Sequence, residues 1–174
     1  MRRLAMFALV LAIAAPACDD DNNPTAQPIL FTATLATSNE VPAIPSTSSE
    51  VNGSGSVIIS FTGDRDSSGN FTSEPIANFQ FNLANLPAGT VLRGAHIHQQ
   101  VAGQNGSIVV DTGLSASNTI TLATGAEQIN RPATQNVGLT LANSIVANPA
   151  GFYFNVHSNN HPGGVMRGQL SRVQ

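Results

Sequence analysis

Hydrophobic and polar positions alternate with a period of two along most of this chain. In residues 29–37, Phe31, Ala33 and Leu35 alternate with Thr32, Thr34 and Ala36, the mark of a half-buried strand. Residues 53–62 put Val57, Ile59 and Phe61 on one face. Residues 76–84 set Phe79, Phe81 and Leu83 against Asn78, Gln80 and Asn82. Leu86-Pro87-Ala88-Gly89 then turns the chain into a strand carrying Ala95 and Ile97 on one side and His96 and His98 on the other. Residues 107–111 read as a strand entered through a tight turn at Asn105-Gly106. Residues 113–135 are weaker, with a short strand expected at 118–123. Residues 139–147 suit a short helix ending at Asn148-Pro149. Alternation returns in 152–157, where Phe152, Phe154 and Val156 oppose Tyr153, Asn155 and His157, and a last strand is expected at 165–170.

Between these runs lie turn-forming segments. Glu40-Val41-Pro42 opens a Pro- and Ser-rich loop, and Gly63-Asp64 to Gly69-Asn70 reads as a hairpin loop. About seven to nine short strands with almost no helical periodicity predict an all-β domain. The expected form is an antiparallel Greek-key β-sandwich or barrel, immunoglobulin-like or superoxide-dismutase-like.

Composition narrows the function. The 174 residues suit one domain, and a hydrophobic share of 41% is enough for a core. Charged residues are only 10%, lysine is absent and the net charge is -3. No basic face is present, so nucleic acid is excluded as a partner.

The N-terminus reads as an export signal. Arg2-Arg3 precede an apolar run from Leu4 to Ala15 that is too short to span a bilayer and closes on small residues. Residues 1–17 are therefore expected to be a signal peptide. Cys18, the single cysteine, follows in the manner of a lipobox and is the expected lipidation site, although Ala15 stands where such motifs usually carry Leu. Residues 18–28, with Asp19-Asp20-Asp21, form a polar tether, leaving 29–174 as the folded domain. The expected location is extracytoplasmic, either anchored in the cell envelope through Cys18 or secreted.

All four histidines fall in two short segments. His96 and His98 project from one face of a strand, and His157 and His161 lie on or just after another. If the two strands are neighbours, the four imidazoles form a candidate site for copper or zinc, since calcium and magnesium want oxygen ligands. The plainer reading is that the rings hydrogen-bond loop carbonyls and hold the strands together. Asn155 is a candidate for orienting an imidazole, or for satisfying a strand edge. Arg167 either steers an anion toward the site or pairs with Glu40. No Ser/His/acid or Cys/His nucleophile arrangement is legible, and no catalytic residue is assigned.

Several motifs together resemble the CHRD domain family, named after chordin. They are Phe31-x-Ala33-x-Leu35, Asn39-Glu40-Val41-Pro42, Ala95-His96-Ile97-His98, Asn105-Gly106, Tyr153-x-Asn155-Val156-His157 and Gly164-Val165-Met166-Arg167-Gly168-Gln169-Leu170. They occur in family order and span nearly the whole mature chain. Val165 departs from the pattern, because an acidic residue more often follows that glycine, and Ser158 replaces a common Thr. The resemblance implies a small exported module, in chordin one surrounded by extracellular protein binding. A fainter similarity to copper/zinc superoxide dismutases rests on the His-x-His strand and the barrel alone. The readings that follow are a metal-binding module, a copper-dependent redox enzyme, and an extracellular interaction or adhesion domain without metal.

Overall fold

The structure is a computed structural model that describes residues 27–173. The signal segment, Cys18 and most of the tether lie outside the described residues. Ten strands form one antiparallel sheet: β1 (Ile29–Ala36), β2 (Ser54–Thr62), β3 (Ile76–Ala84), β4 (Thr90–Gln99), β5 (Ser107–Asp111), β6 (Ile120–Leu122), β7 (Glu127–Pro132), β8 (Phe152–Ser158), β9 (Met166–Gln169) and β10 (Ser171–Arg172). One helix, α1 (Leu139–Ala147), separates β7 from β8. The described residues contain no helix long and apolar enough to cross a membrane.

The strand order is β5-β4-β8-β9-β1-β2-β3-β7, with β6 added to β4 and β10 to β1. β1, β2 and β3 form a meander. The chain then crosses to the far edge for β4 and β5, returns to place β7 beside β3, and fills the middle with β8 and β9. The expected all-β antiparallel barrel-type fold therefore forms, as a single sheet curled into a half-barrel.

Curling brings distant strands together through their apolar faces. Phe79 on β3 stacks on Phe154 of β8 at 5.7 Å between ring centroids, and Phe81 meets the same ring at 5.4 Å. Phe31 meets Phe61 edge to face at 5.2 Å. Each of these fully buried rings contributes roughly 1.5–3 kcal/mol by leaving water. Ala142 and Ile145 of α1 join the core, while Asn143 grips the β2–β3 hairpin by two bonds to the Phe71 backbone at 2.8 and 3.1 Å.

Two local features differ from the sequence reading. β7 escapes the alternation rule because it is an edge strand with one fully buried side chain, Ile129, and it ends in Pro132. The expected tight turn at Asn105-Gly106 falls earlier in the loop, where Gly103 takes φ of 82° and Gln104 N–H donates to the Val101 carbonyl. Asn105 and Gly106 serve the site described next.

Candidate metal centre

A bulge on β4 decides which way its histidines point. In the pairing with β8, Leu92 faces Ser158 but Gly94 faces His157, so Arg93 is an extra residue on β4. The insertion shifts the alternation by one. Leu92, Ala95 and Ile97 all enter the core, while Gly94, His96 and His98 share the opposite face. β8 lies in register beside them, with Asn155 opposite His96 and Tyr153 opposite His98. The outer faces of two central strands thus meet, as the parity of the sequence anticipates.

His96, His98 and His157 converge. Each offers one ring nitrogen, and these nitrogens lie within 4.8 Å of one another. Ring centroids are 4.9 Å apart for His96 and His157, and 5.8 Å for the other two pairs. Gly94 makes the approach possible. A Cβ there would sit 2.9 Å from Cε1 of His96 and 3.3 Å from Cδ2 of His157.

Each ring is held from outside. His98 donates from Nδ1 to the Gly106 carbonyl at 2.9 Å, and His157 donates from Nδ1 to the Pro162 carbonyl at 3.0 Å. Nε2 of His96 faces the Asp111 carboxylate at 3.8 Å. The opposite nitrogens, Nδ1 of His96 and Nε2 of His98 and His157, are buried without a hydrogen-bond partner among the described residues. His98 and His157 are only 7% and 8% exposed although they lie outside the sheet, because loops cover them.

Burial also favours the uncharged form of all three rings. It depresses the His157 pKa to about 4, helped by neighbouring His96 and His98 and opposed by the bond to Pro162. His96 is lowered by burial against the pull of Asp111, and His98 by burial against its bond to Gly106. Neutral imidazoles with free lone pairs are what a transition metal requires.

The fourth predicted residue, His161, does not join them. Its Nδ1 lies 2.6 Å from Oε2 of Glu50. Asn155, on the same face as His96, does not orient a ring; its side chain bonds Glu40. Arg167 acts on Glu40 through its charge, which opposes the burial that lifts the Glu40 pKa to about 7, although no direct salt bridge joins the two side chains among the described residues. Arg167 instead donates from Nε to the Asn39 carbonyl at 2.7 Å. Its Nη1 donates to the Gln104 carbonyl at 3.2 Å and to Oδ1 of Asn105 at 2.9 Å. Its guanidinium lies 4.6 Å above the Tyr153 ring.

Sequence reasoning passed over the supporting residues. Gly94, Asp111, Tyr153 and the carbonyls of Gly106 and Pro162 carry no ligand signature. Tyr153 alone left a trace, because it shares strand parity with His157. Val165, the departure noted in the last motif, is fully buried in the core.

The CHRD domain family matches residues 31–170, most of the chain, and the chain belongs to it. No curated protein and no solved structure matches.

Proposed function

We propose that this CHRD-domain protein is exported and binds one transition-metal ion, copper or zinc, through His96, His98 and His157. One observation carries the reading. Three imidazoles each keep one nitrogen on or facing an outside acceptor and leave the other buried and unpartnered, and each ring can bring one nitrogen within 4.8 Å of the others. An unsatisfied buried polar atom costs about 1–3 kcal/mol. Three such atoms on one cluster of rings are best explained by an electrophile that the rings share.

A neutral three-nitrogen set suits copper or zinc and is poor for hard oxygen-seeking cations. When bound, the ion would supply Lewis acidity or, for copper, electron transfer. The chain would hold the rings: Gly106 and Pro162 fix the tautomers of His98 and His157, and Asp111 faces His96. The N-terminal pattern of residues 1–18 supports export and a lipid anchor on Cys18, which would place the domain at a membrane surface.

Elemental analysis with copper and zinc titration of the purified protein tests the metal reading. We expect about one equivalent, lost in His96→Ala/His98→Ala. No binding above the level of that double variant would sink the proposal and leave an interaction or adhesion module. Superoxide removal by the copper-loaded protein, measured against the same variant, separates a redox enzyme from a binding module. Mass spectrometry of detergent-extracted protein, compared with Cys18→Ala, tests the anchor.

A further inference from the structure

The residue left out of the histidine cluster has partners of its own. Glu50 is 1% exposed and its carboxylate is fully engaged. Oε2 accepts from Ser158 Oγ at 2.7 Å and from His161 Nδ1 at 2.6 Å, while Oε1 accepts from Asn160 Nδ2 at 3.2 Å. The backbone N–H of His161 is fixed as well, donating to Ser158 Oγ at 3.0 Å. The imidazole is thereby clamped with Nδ1–H on the acid, which leaves Nε2 facing outward. The atom opposite Nε2 is Oγ of Ser48, 3.4 Å away.

Ser48, His161 and Glu50 therefore stand in the order of a nucleophile, a base and an orienting acid. The orienting acid is buried, and the other two are half-buried and open to solvent. The 3.4 Å contact is long for a hydrogen bond but within what nucleophile–base pairs show before substrate binds. Ser48 is itself pinned in a turn. Its N–H donates to the Pro45 carbonyl at 2.9 Å, and the Glu50 N–H donates to its Oγ at 3.2 Å.

His161 also lines a cleft of about 330 Å³ between the loop at Val41–Pro45 and the loop at Pro162–Gly164. Pro42, Ala43 and Ile44 make one wall apolar, no cationic side chain lines it, and the one carboxyl present, Glu40, is largely buried. The lining stops at Pro45, short of Ser48, so His161 is the member of the trio that the cleft reaches, and its apolar wall suits a small uncharged acyl group.

We propose that Ser48, His161 and Glu50 form a nucleophilic site, separate from the three-histidine centre, that cleaves uncharged short-chain esters. Ser48 Oγ attacks the acyl carbon as its proton passes to His161 Nε2. The bond from that carbon to the alcohol oxygen breaks, and the alcohol leaves with the proton. Water, giving its proton to the same Nε2, then attacks the acyl-serine; the carboxylic acid departs and the proton returns to Ser48. Glu50 holds the ring in the tautomer that both steps need and acts as a positioning residue.

The test combines a fluorophosphonate probe with p-nitrophenyl acetate and butyrate, applied to metal-stripped protein and to the His96→Ala/His98→Ala variant so that no bound metal contributes. We expect a covalent adduct mapped to Ser48 by peptide mass spectrometry and saturable ester turnover. Ser48→Ala should abolish both, and His161→Gln should slow adduct formation by about 10²-fold or more. Glu50→Gln should slow it less and shift its pH profile, which a purely structural role would not do. Absence of an adduct at Ser48, or equal labelling rates in His161→Gln and wild type with both proteins folded by circular dichroism, would overturn the proposal. Either result leaves the metal reading untouched, because Ser48, His161 and Glu50 are distinct from the three histidines proposed to hold the ion.

Discussion

The imidazole of His98 lies flat on the phenol ring of Tyr153, with centroids 4.9 Å apart and planes 8° from parallel. The Arg167 guanidinium lies over the same phenol, 4.6 Å from its centroid. The Tyr153 hydroxyl accepts the Gly106 N–H at 3.1 Å, and the Gly106 carbonyl receives Nδ1–H of His98. One tyrosine thus sets both the plane of the imidazole and the loop that fixes its tautomer. Tyr153→Phe keeps the stack and removes one hydrogen bond. The expected cost is about 1–2 kcal/mol in urea denaturation, together with weaker zinc binding. Unchanged values for both would show that the loop is held without the hydroxyl.

Gly94→Ala separates the metal site from the fold. The added Cβ meets Cε1 of His96 and Cδ2 and Cβ of His157 and no backbone, so stability should fall by only about 1–2 kcal/mol as the rings give way. The rings must part to admit it. Metal affinity should then fall about 10-fold or more, measured by competition with a chromophoric chelator. Full affinity in this variant would mean that His96 and His157 do not bind the same ion.

Two buried groups give stability opposite pH dependences. His157 takes a proton near 6.5 when unfolded but near 4 when folded. Lowering the pH through that window protonates the unfolded chain first and removes up to roughly 3 kcal/mol. His96 and His98, lowered in the same direction, add to this acid-side loss. In a Glu40→Gln background, which removes the opposing carboxyl, metal-free protein should therefore weaken as pH falls below 6.5, and adding His157→Gln should lessen that loss.

Glu40 works the other way. Its carboxyl ionises near 4.5 when unfolded and near 7 when folded, chiefly because burial disfavours the charge. Its contribution is fully present below pH 4.5 and is lost as pH rises through 7, again up to roughly 3 kcal/mol. Glu40→Gln should be more stable than wild type at pH 8 and similar to it at pH 4.5. Chemical denaturation across pH 4–8 checks this; equal stability at pH 8 would contradict it.

Arg167 joins the Asn39 segment, the Gln104-Asn105 loop and Tyr153 through one planar fork. A lysine carries the charge without that geometry. Arg167→Lys is expected to cost about 2–3 kcal/mol in denaturation midpoint analysis. A cost below about 0.5 kcal/mol would mean that the fork is not what joins the two loops.

The alternation of Phe31, Ala33 and Leu35, and of Phe79, Phe81 and Leu83, already specified strands with one buried face, because side-chain direction on a strand depends on sequence spacing alone. A helix stop at Asn148-Pro149 marked the end of α1 at residues 139–147, and strand parity placed His157 opposite the apolar side of its strand. It also marked His96 and His98 as a pair facing away from Ala95 and Ile97. What parity could not supply was adjacency between elements far apart in the chain. The pairing of β4 with β8, and the bulge at Arg93 that keeps Leu92 in the core, arise from ladder hydrogen bonds and curvature. The fate of His161 was illegible for the same reason. Glu50 sits 111 residues away in a Ser-rich loop, and only the folded chain buries its carboxylate against that ring. Local spacing determined which faces the side chains occupy; closure of the sheet decided which of those side chains meet.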